Sequence, residues 1–209
     1  MPTARQMSPL PDRIRPGLRV LFVGINPGIR SAAVGHHFAG FSNRFWRLLH
    51  DSGLAPRPVG WKDDRRLPEW GFGITNLVPR PTRGIDELQQ HEYLAGQRAL
   101  FAKVRRHRPR VVALVGITIY RALFPGRPRG DSRPARRKGP RRVLPGLSKE
   151  SIEGAPVFVL PNPSGRNATL SYDEMLSAFR SLARLVSSGR GPAVGRIRRR
   201  VAELKCIGK

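Results

Sequence analysis

Val20-Leu21-Phe22-Val23-Gly24-Ile25-Asn26-Pro27-Gly28 opens as an apolar run rich in β-branched residues, the pattern of a buried strand. The run stops abruptly at Gly24-Ile25-Asn26-Pro27-Gly28. Two glycines and a proline there dictate a tight, rigid turn just beyond the strand. Ligands of open α/β sheets bind beyond the carboxyl ends of the strands. Asn26 is therefore placed where a side chain can act on a bound molecule.

Other runs extend the pattern on either side. Val111–Gly116 and Val157–Leu160 read as buried strands, and Phe72–Val78 as a shorter one. Between them lie helical signals. Ser42-Asn43 is a capping pair for a helix carrying Phe45, Trp46 and Leu49, with Gly53 beyond its end. A helix is expected over 86–107, with Leu94, Leu100, Phe101 and Val104 as its apolar stripe, and a short one over 118–124. Ser171 and Glu174 fit a capping box ahead of Met175, Leu176, Phe179, Leu182 and Val186. Strands alternating with helices specify an α/β three-layer sandwich, a central and mostly parallel sheet flanked by helices. Residues 30–41 and 54–71 read as connections. The chain divides into a flexible basic arm (1–16), a domain (17–186) with a basic insertion loop (125–149), and a basic tail (187–209).

Composition narrows the function. Among 209 residues, 39 Lys and Arg face 14 Asp and Glu, a net charge of +25. A field of that sign attracts polyanions, above all phosphate backbones. The single cysteine, Cys206, allows no internal disulfide, iron–sulfur cluster or cysteine zinc site. The five histidines offer no metal spacing, and neither metal nor cofactor is expected. No run reaches membrane-spanning length and the N-terminus lacks a signal-peptide core, so a soluble cytoplasmic protein is expected.

Two polar turns follow buried strands, at Gly24–Gly28 and at Asn162-Pro163-Ser164-Gly165. If the two strands are sheet neighbours, both turns open on one edge. No serine sits in a nucleophile elbow, no phosphate-loop lysine motif is present, and no Gly-x-Gly-x-x-Gly follows a strand. Serine hydrolase, nucleotide hydrolase and NAD chemistries are disfavoured.

Five ordered motifs carry a resemblance. They are Gly24-Ile25-Asn26-Pro27-Gly28; Gly35-His36-His37-Phe38; Asn43-Arg44-Phe45-Trp46; Gly73-Ile-Thr-Asn-Leu-Val with Arg80-Pro-Thr; and Leu160-Pro-Asn-Pro-Ser-Gly165. In this order they resemble the uracil-DNA glycosylase superfamily, and within it the mismatch-specific uracil/thymine DNA glycosylases. The resemblance implies a monofunctional enzyme that hydrolyses the N-glycosidic bond of uracil, and of thymine, mispaired with guanine. Its implied partner is double-stranded DNA with G:U or G:T mismatches, bound by a monomer, at the nucleoid if the source is bacterial. It implies that Asn26 holds the attacking water. An amide takes no proton at neutral pH, so that role is orientation. Gly24, Ile25, Ser31, Phe38 and Asn43 form the implied base pocket, with Phe38 stacking on the extruded base.

Asn43 has a second reading as a helix cap, Phe38 as a core ring, and His37 either contacts phosphate or is simply exposed. The implied DNA-contacting set is His37, Arg80, Asn162, Pro163, Ser164, Gly165 and Arg166. Bacterial members of the family that resemble this chain often carry an apolar wedge after Pro-Ser-Gly and an arginine two residues later; here Arg166 and Ala168 stand instead. That departure makes a broader deaminated-base glycosylase, acting on hypoxanthine, xanthine or single-stranded uracil, one alternative; the basic loops on the same fold make a catalytically silent DNA-binding module the other. Asp86 and Glu87 either place favourable charge at a helix start or reach the pocket to supplement Asn26.

Overall fold

The computed structural model describes residues 7–125, 144–165 and 169–188. A five-stranded sheet has the order β2-β1-β3-β5-β4, where β1 is Val20–Gly24, β2 Phe72–Asn76, β3 Val111–Val115, β4 Gly146–Ile152 and β5 Ala155–Leu160. β1 pairs in parallel with β2 and β3, and β3 with β5; β4 alone is antiparallel, on β5. The alternation in β1 explains the layering. Val20 and Phe22 join a core with Phe45, Leu49, Met175 and Phe179 on one face. Leu21 and Val23 join Leu100, Val104, Ile119 and Tyr120 on the other. Side chains two apart share a face of a strand, so both faces of β1 are apolar and both are covered.

Among the described residues five α-helices flank the sheet: α1 Ile29–Val34, α2 Phe45–Asp51, α3 Gln90–His107, α4 Ile117–Leu123 and α5 Tyr172–Ser187. The expected capping box of α5 is present. Ser171 Oγ accepts from the Glu174 N–H at 3.2 Å, and Glu174 Oε2 accepts from the Ser171 N–H at 2.7 Å. The strands of the two polar turns are not neighbours, because β3 lies between β1 and β5. Their turns still share one edge, since all three strands run parallel. After β1 the chain forms β2 on one side and later β3 on the other, so the crevice between β1 and β3 is the switch point where such sheets bind ligands.

Several sequence expectations are corrected. Residues 29–34 are helical, inside the segment read as a loop. Residues 61–70 form a 3-10 helix within the expected connection. The long helix starts at Gln90; Asp86 and Glu87 lie in a separate 3-10 turn, Ile85–Glu87. Leu94 is half exposed, and the inward face of α3 is Gly96, Leu100 and Val104. A Cβ on Gly96 would stand 2.2 Å from the Leu77 carbonyl oxygen, so the helix approaches β2's exit through a glycine.

Residues 146–149, assigned to the basic loop, begin β4. Its outer positions Lys149 and Glu150 mask an edge strand whose buried positions are only Ser148 and Ile152. The second half of the expected free arm is docked. Arg13 exchanges backbone hydrogen bonds with Ile74 at 2.9 and 3.0 Å, and Leu10 is buried. Residues 1–6, 126–143, Arg166, Ala168 and 189–209 lie outside the described residues. Among the described residues no helix is long and apolar enough to cross a membrane.

Candidate active site

The carboxyl ends of β1, β2, β3 and β5 open on a cleft of about 660 Å³. Its walls bring together Ile25, Asn26, Ser31, His37, Phe38, Asn43, Asp86, Asn162 and Ser164 from the expected set. Asn76, Thr82 and Thr118 are among the further lining residues, none of them an expected site residue.

The turn after β1 is held by the chain beyond β2. Leu77 N–H donates to Gly24 O and Val78 N–H to Ile25 O, each at 2.8 Å, and Thr82 N–H donates to Pro27 O at 3.1 Å. Side chains then fix the Asn26 amide. Thr82 hydroxyl donates to Gly84 O at 2.6 Å, so its oxygen faces Asn26 as an acceptor. Asn26 Nδ2 donates to that oxygen at 2.7 Å, to Arg80 O at 3.1 Å and to Pro27 O at 3.2 Å. Only the NH₂ end can make these bonds, which assigns the flip of the amide. The end left to address the cleft is Oδ1, an acceptor suited to a water proton.

Phe38 supplies a flat wall. Its φ of 51° is left-handed backbone, rare for a bulky residue and common at functional sites. One face of the ring stacks on Phe45, with centroids 4.3 Å apart. Two hydrogen bonds brace its loop: Ser31 Oγ accepts from the Ala39 N–H at 3.0 Å, and Trp46 Nε1–H donates to His37 O at 3.2 Å. Ser31 thus serves the loop first. Gly24, expected in the base pocket, is buried behind Asn76 and Phe38 and does not itself line the cleft. A Cβ there would lie 2.7 Å from Asn76 Oδ1 and 3.4 Å from the Phe38 ring.

His37 is neither exposed nor available to phosphate, contrary to both sequence readings. Its side chain is buried, and burial is the dominant cause that lowers its pKa. The ring bonds Pro11 O through Nε2 at 3.1 Å, and a carbonyl only accepts, so Nε2 carries the proton. Nδ1 is then the acceptor for Asn76 Nδ2, at 3.4 Å. A neutral histidine therefore orients the Asn76 amide at the cleft wall. Asn76 sits opposite Gly24 in the sheet register, so the carboxyl-end rule applied to β2 as well as β1 finds it.

Beneath this loop Asp64 is fully buried. It accepts from His36 Nδ1 at 2.8 Å and from the His37 N–H at 3.1 Å, and Arg13 Nε approaches to 3.5 Å. A single carboxylate gathers the arm, the 3-10 helix 61–70 and the loop that carries Phe38.

Arg80 is also corrected. Its guanidinium makes a bidentate pair with Glu92 at 2.7 and 2.8 Å and donates to Glu87 O at 2.7 Å, so it anchors the 79–84 loop to α3. Arg80 holds the Glu92 carboxyl down at about 2, from an ordinary 4.5. A depressed carboxylate contributes stability above its unfolded pKa and loses it as pH falls through the folded value. The loss should span about pH 4.5 to about 2. Glu92→Gln should flatten that part of a melting-temperature profile; an unchanged acid limb would contradict the pairing.

The acidic pair separates. Asp86 lines the cleft with Asn26. Glu87 turns away, its Oε1 accepting from the Arg83 N–H at 3.0 Å. Asn43 is not the cap of α2, whose N-cap is Arg44 and carries no side-chain cap bond; its Oδ1 accepts from the Phe45 N–H at 2.9 Å in the turn that leads into the helix, and the residue lines the cleft. Across the opening, Asn162 Oδ1 accepts from the Ser164 N–H at 3.1 Å, and Pro163 O accepts from the Arg44 N–H at 2.9 Å. A Cβ on Gly165 would meet Ser42 Cβ at 2.3 Å, so the 162–165 turn seats directly on the 42–44 turn.

A cleft with an oriented acceptor, a flat aromatic wall and several amides suits hydrolysis at a planar heterocycle. The sequence model of the Uracil DNA glycosylase superfamily matches residues 11–183, a span that includes every residue lining this cleft except Leu10. The chain belongs to the uracil DNA glycosylase superfamily, and its activity is that of a DNA glycosylase hydrolase.

Proposed function

We propose that this protein is a monofunctional glycosylase that removes uracil, and thymine, mispaired with guanine. The locked Asn26 amide carries the reading, because every donor it has is spent on protein acceptors. The target nucleotide must leave the duplex before its glycosidic bond can be reached. The extruded base lies against the free face of Phe38, with the amides of Asn76 and Asn43 at its polar edge. The C1′–N bond breaks, and its electron pair leaves on the base. Positive charge develops on the sugar, as in other glycoside hydrolyses. Water held by Asn26 Oδ1 bonds to C1′ and gives up its proton to solvent or to the departing base. Asn26 orients this water and does not deprotonate it. The Asp86 carboxylate, in the same wall, favours the cationic sugar electrostatically.

The test is single-turnover release of bases from G:U, G:T, A:U and single-stranded uracil, and from hypoxanthine and xanthine, read as alkali-labile sites. Preference for G:U and G:T is expected. Equal rates on all lesions would replace it with the broader glycosylase. Tight binding to undamaged duplex with no abasic sites would replace it with a silent binding module. A borohydride-stable DNA adduct would overturn the monofunctional assignment.

A further inference from the structure

Phe41 is 90% exposed. A lone apolar side chain on a surface is ordinary, but three observations set this one apart. Its neighbours Gly40, Ser42 and Asn43 all line the cleft, so the ring stands at the cleft's mouth. The Arg30 guanidinium lies over the ring, 3.5 Å from its centroid, and is itself fixed by Nε donating to Ala39 O at 2.8 Å. One face of the ring is thereby braced from the protein side, and the other is free to stack. Finally, Ser42 is the residue on which the opposite wall, at Gly165, is seated.

The surroundings select the occupant. Phe41 and Arg30 border a second hollow of about 420 Å³ beside the cleft, lined by Arg47, His50 and Trp61 and by no acidic residue. Arg47 and His50 share Asp51. Arg30 makes no ion pair among the described residues. An exposed aromatic ring backed by an uncompensated guanidinium matches the chemistry of a nucleic-acid strand, in which every base has a π-face and every step a phosphate.

We propose that Phe41 is a wedge that enters the base stack beside the extruded nucleotide, with Arg30 bracing its inner face and meeting the adjoining phosphate. The wedge rests on the glycosylase reading above. Apolar side chains inserted between base steps unstack them and hold a duplex open, so the residue matters where a base must be extruded and not where it is already free.

Phe41→Ala and Phe41→Trp should be compared with the unmodified protein on a G:U duplex and on the same uracil strand unpaired. A 2-aminopurine beside the lesion reports unstacking. Phe41→Ala is expected to slow the duplex reaction by about tenfold to a hundredfold, the range of one lost base–aromatic stack, while single-strand release stays within about twofold. It should also abolish the 2-aminopurine rise, and Phe41→Trp should restore both. Equal slowing on both substrates, or an unchanged duplex rate with the rise intact, overturns the wedge. If the unmodified protein releases no base from either substrate, the glycosylase reading fails. The 2-aminopurine arm then decides alone: loss of the rise in Phe41→Ala supports the wedge, and persistence overturns it.

Discussion

Asn26→Ala should reduce single-turnover uracil release by on the order of a hundredfold to a thousandfold, with the melting temperature almost unchanged. The side chain is half-buried at a turn whose backbone is already held by Leu77, Val78 and Thr82. Its loss removes the water's acceptor without opening the core. Asn26→Asp is the sharper variant. A carboxylate is a better base than an amide, yet it cannot donate to Thr82 Oγ, Arg80 O and Pro27 O. Three acceptors would face a negative charge, which raises its pKa and turns it out of position. Its rate should therefore stay below that of the unmodified protein near neutrality and climb with pH. A rate at or above the unmodified level from about pH 6 upward would show that the amide's orientation is not what the site depends on. Thr82→Val should mimic a milder loss, because it removes the strongest of the three anchors. Asp86→Asn, measured alongside, separates electrostatic help from Asn26's own contribution; an unchanged rate removes Asp86 from the mechanism.

Asp64→Ala should cost about 3–5 kcal/mol in urea unfolding, the range for breaking a buried ion pair from one side. The carboxylate is fully buried with His36, the His37 N–H and Arg13 around it. Removing it leaves the Arg13 charge, already without a hydrogen bond at Nε, uncompensated. Asp64→Asn keeps an acceptor and the volume, so it should cost less than Asp64→Ala. Because the same residue anchors the backbone at His37, beside Phe38, base release should fall further in Asp64→Asn than its stability loss explains, at temperatures where it stays folded. Two variants equally stable to the unmodified protein would show that Asp64 is not the hub described.

The two corrections at the cleft have one physical origin. The resemblance puts Arg80 on DNA, and His37 either on phosphate or in solvent, through motifs of consecutive residues. Arg80 instead meets Glu92, twelve residues on and across a loop-to-helix contact. His37 is buried by residues of the arm, through Pro11, and by Asn76 of the next strand. Neither partner can be read from local spacing. The same holds for Asp64, which looks like one of several charges in a connection and becomes the buried hub of three segments.

Hydrophobic periodicity alone determined β1, β3 and β5, the helix after the Ser171–Glu174 box, and the mostly parallel α/β class, because those signals are local: a strand buried on both faces has no polar positions, and a cap acts over four residues. It also placed Asn26 at a carboxyl end, since the turn chemistry of Gly-Ile-Asn-Pro-Gly is written in consecutive residues. The tertiary structure alone decided the order β2-β1-β3-β5-β4, which puts the switch point beside Asn26. It alone decided which end of the Asn26 amide faces the cleft, because Thr82 and Arg80 arrive from more than fifty residues away.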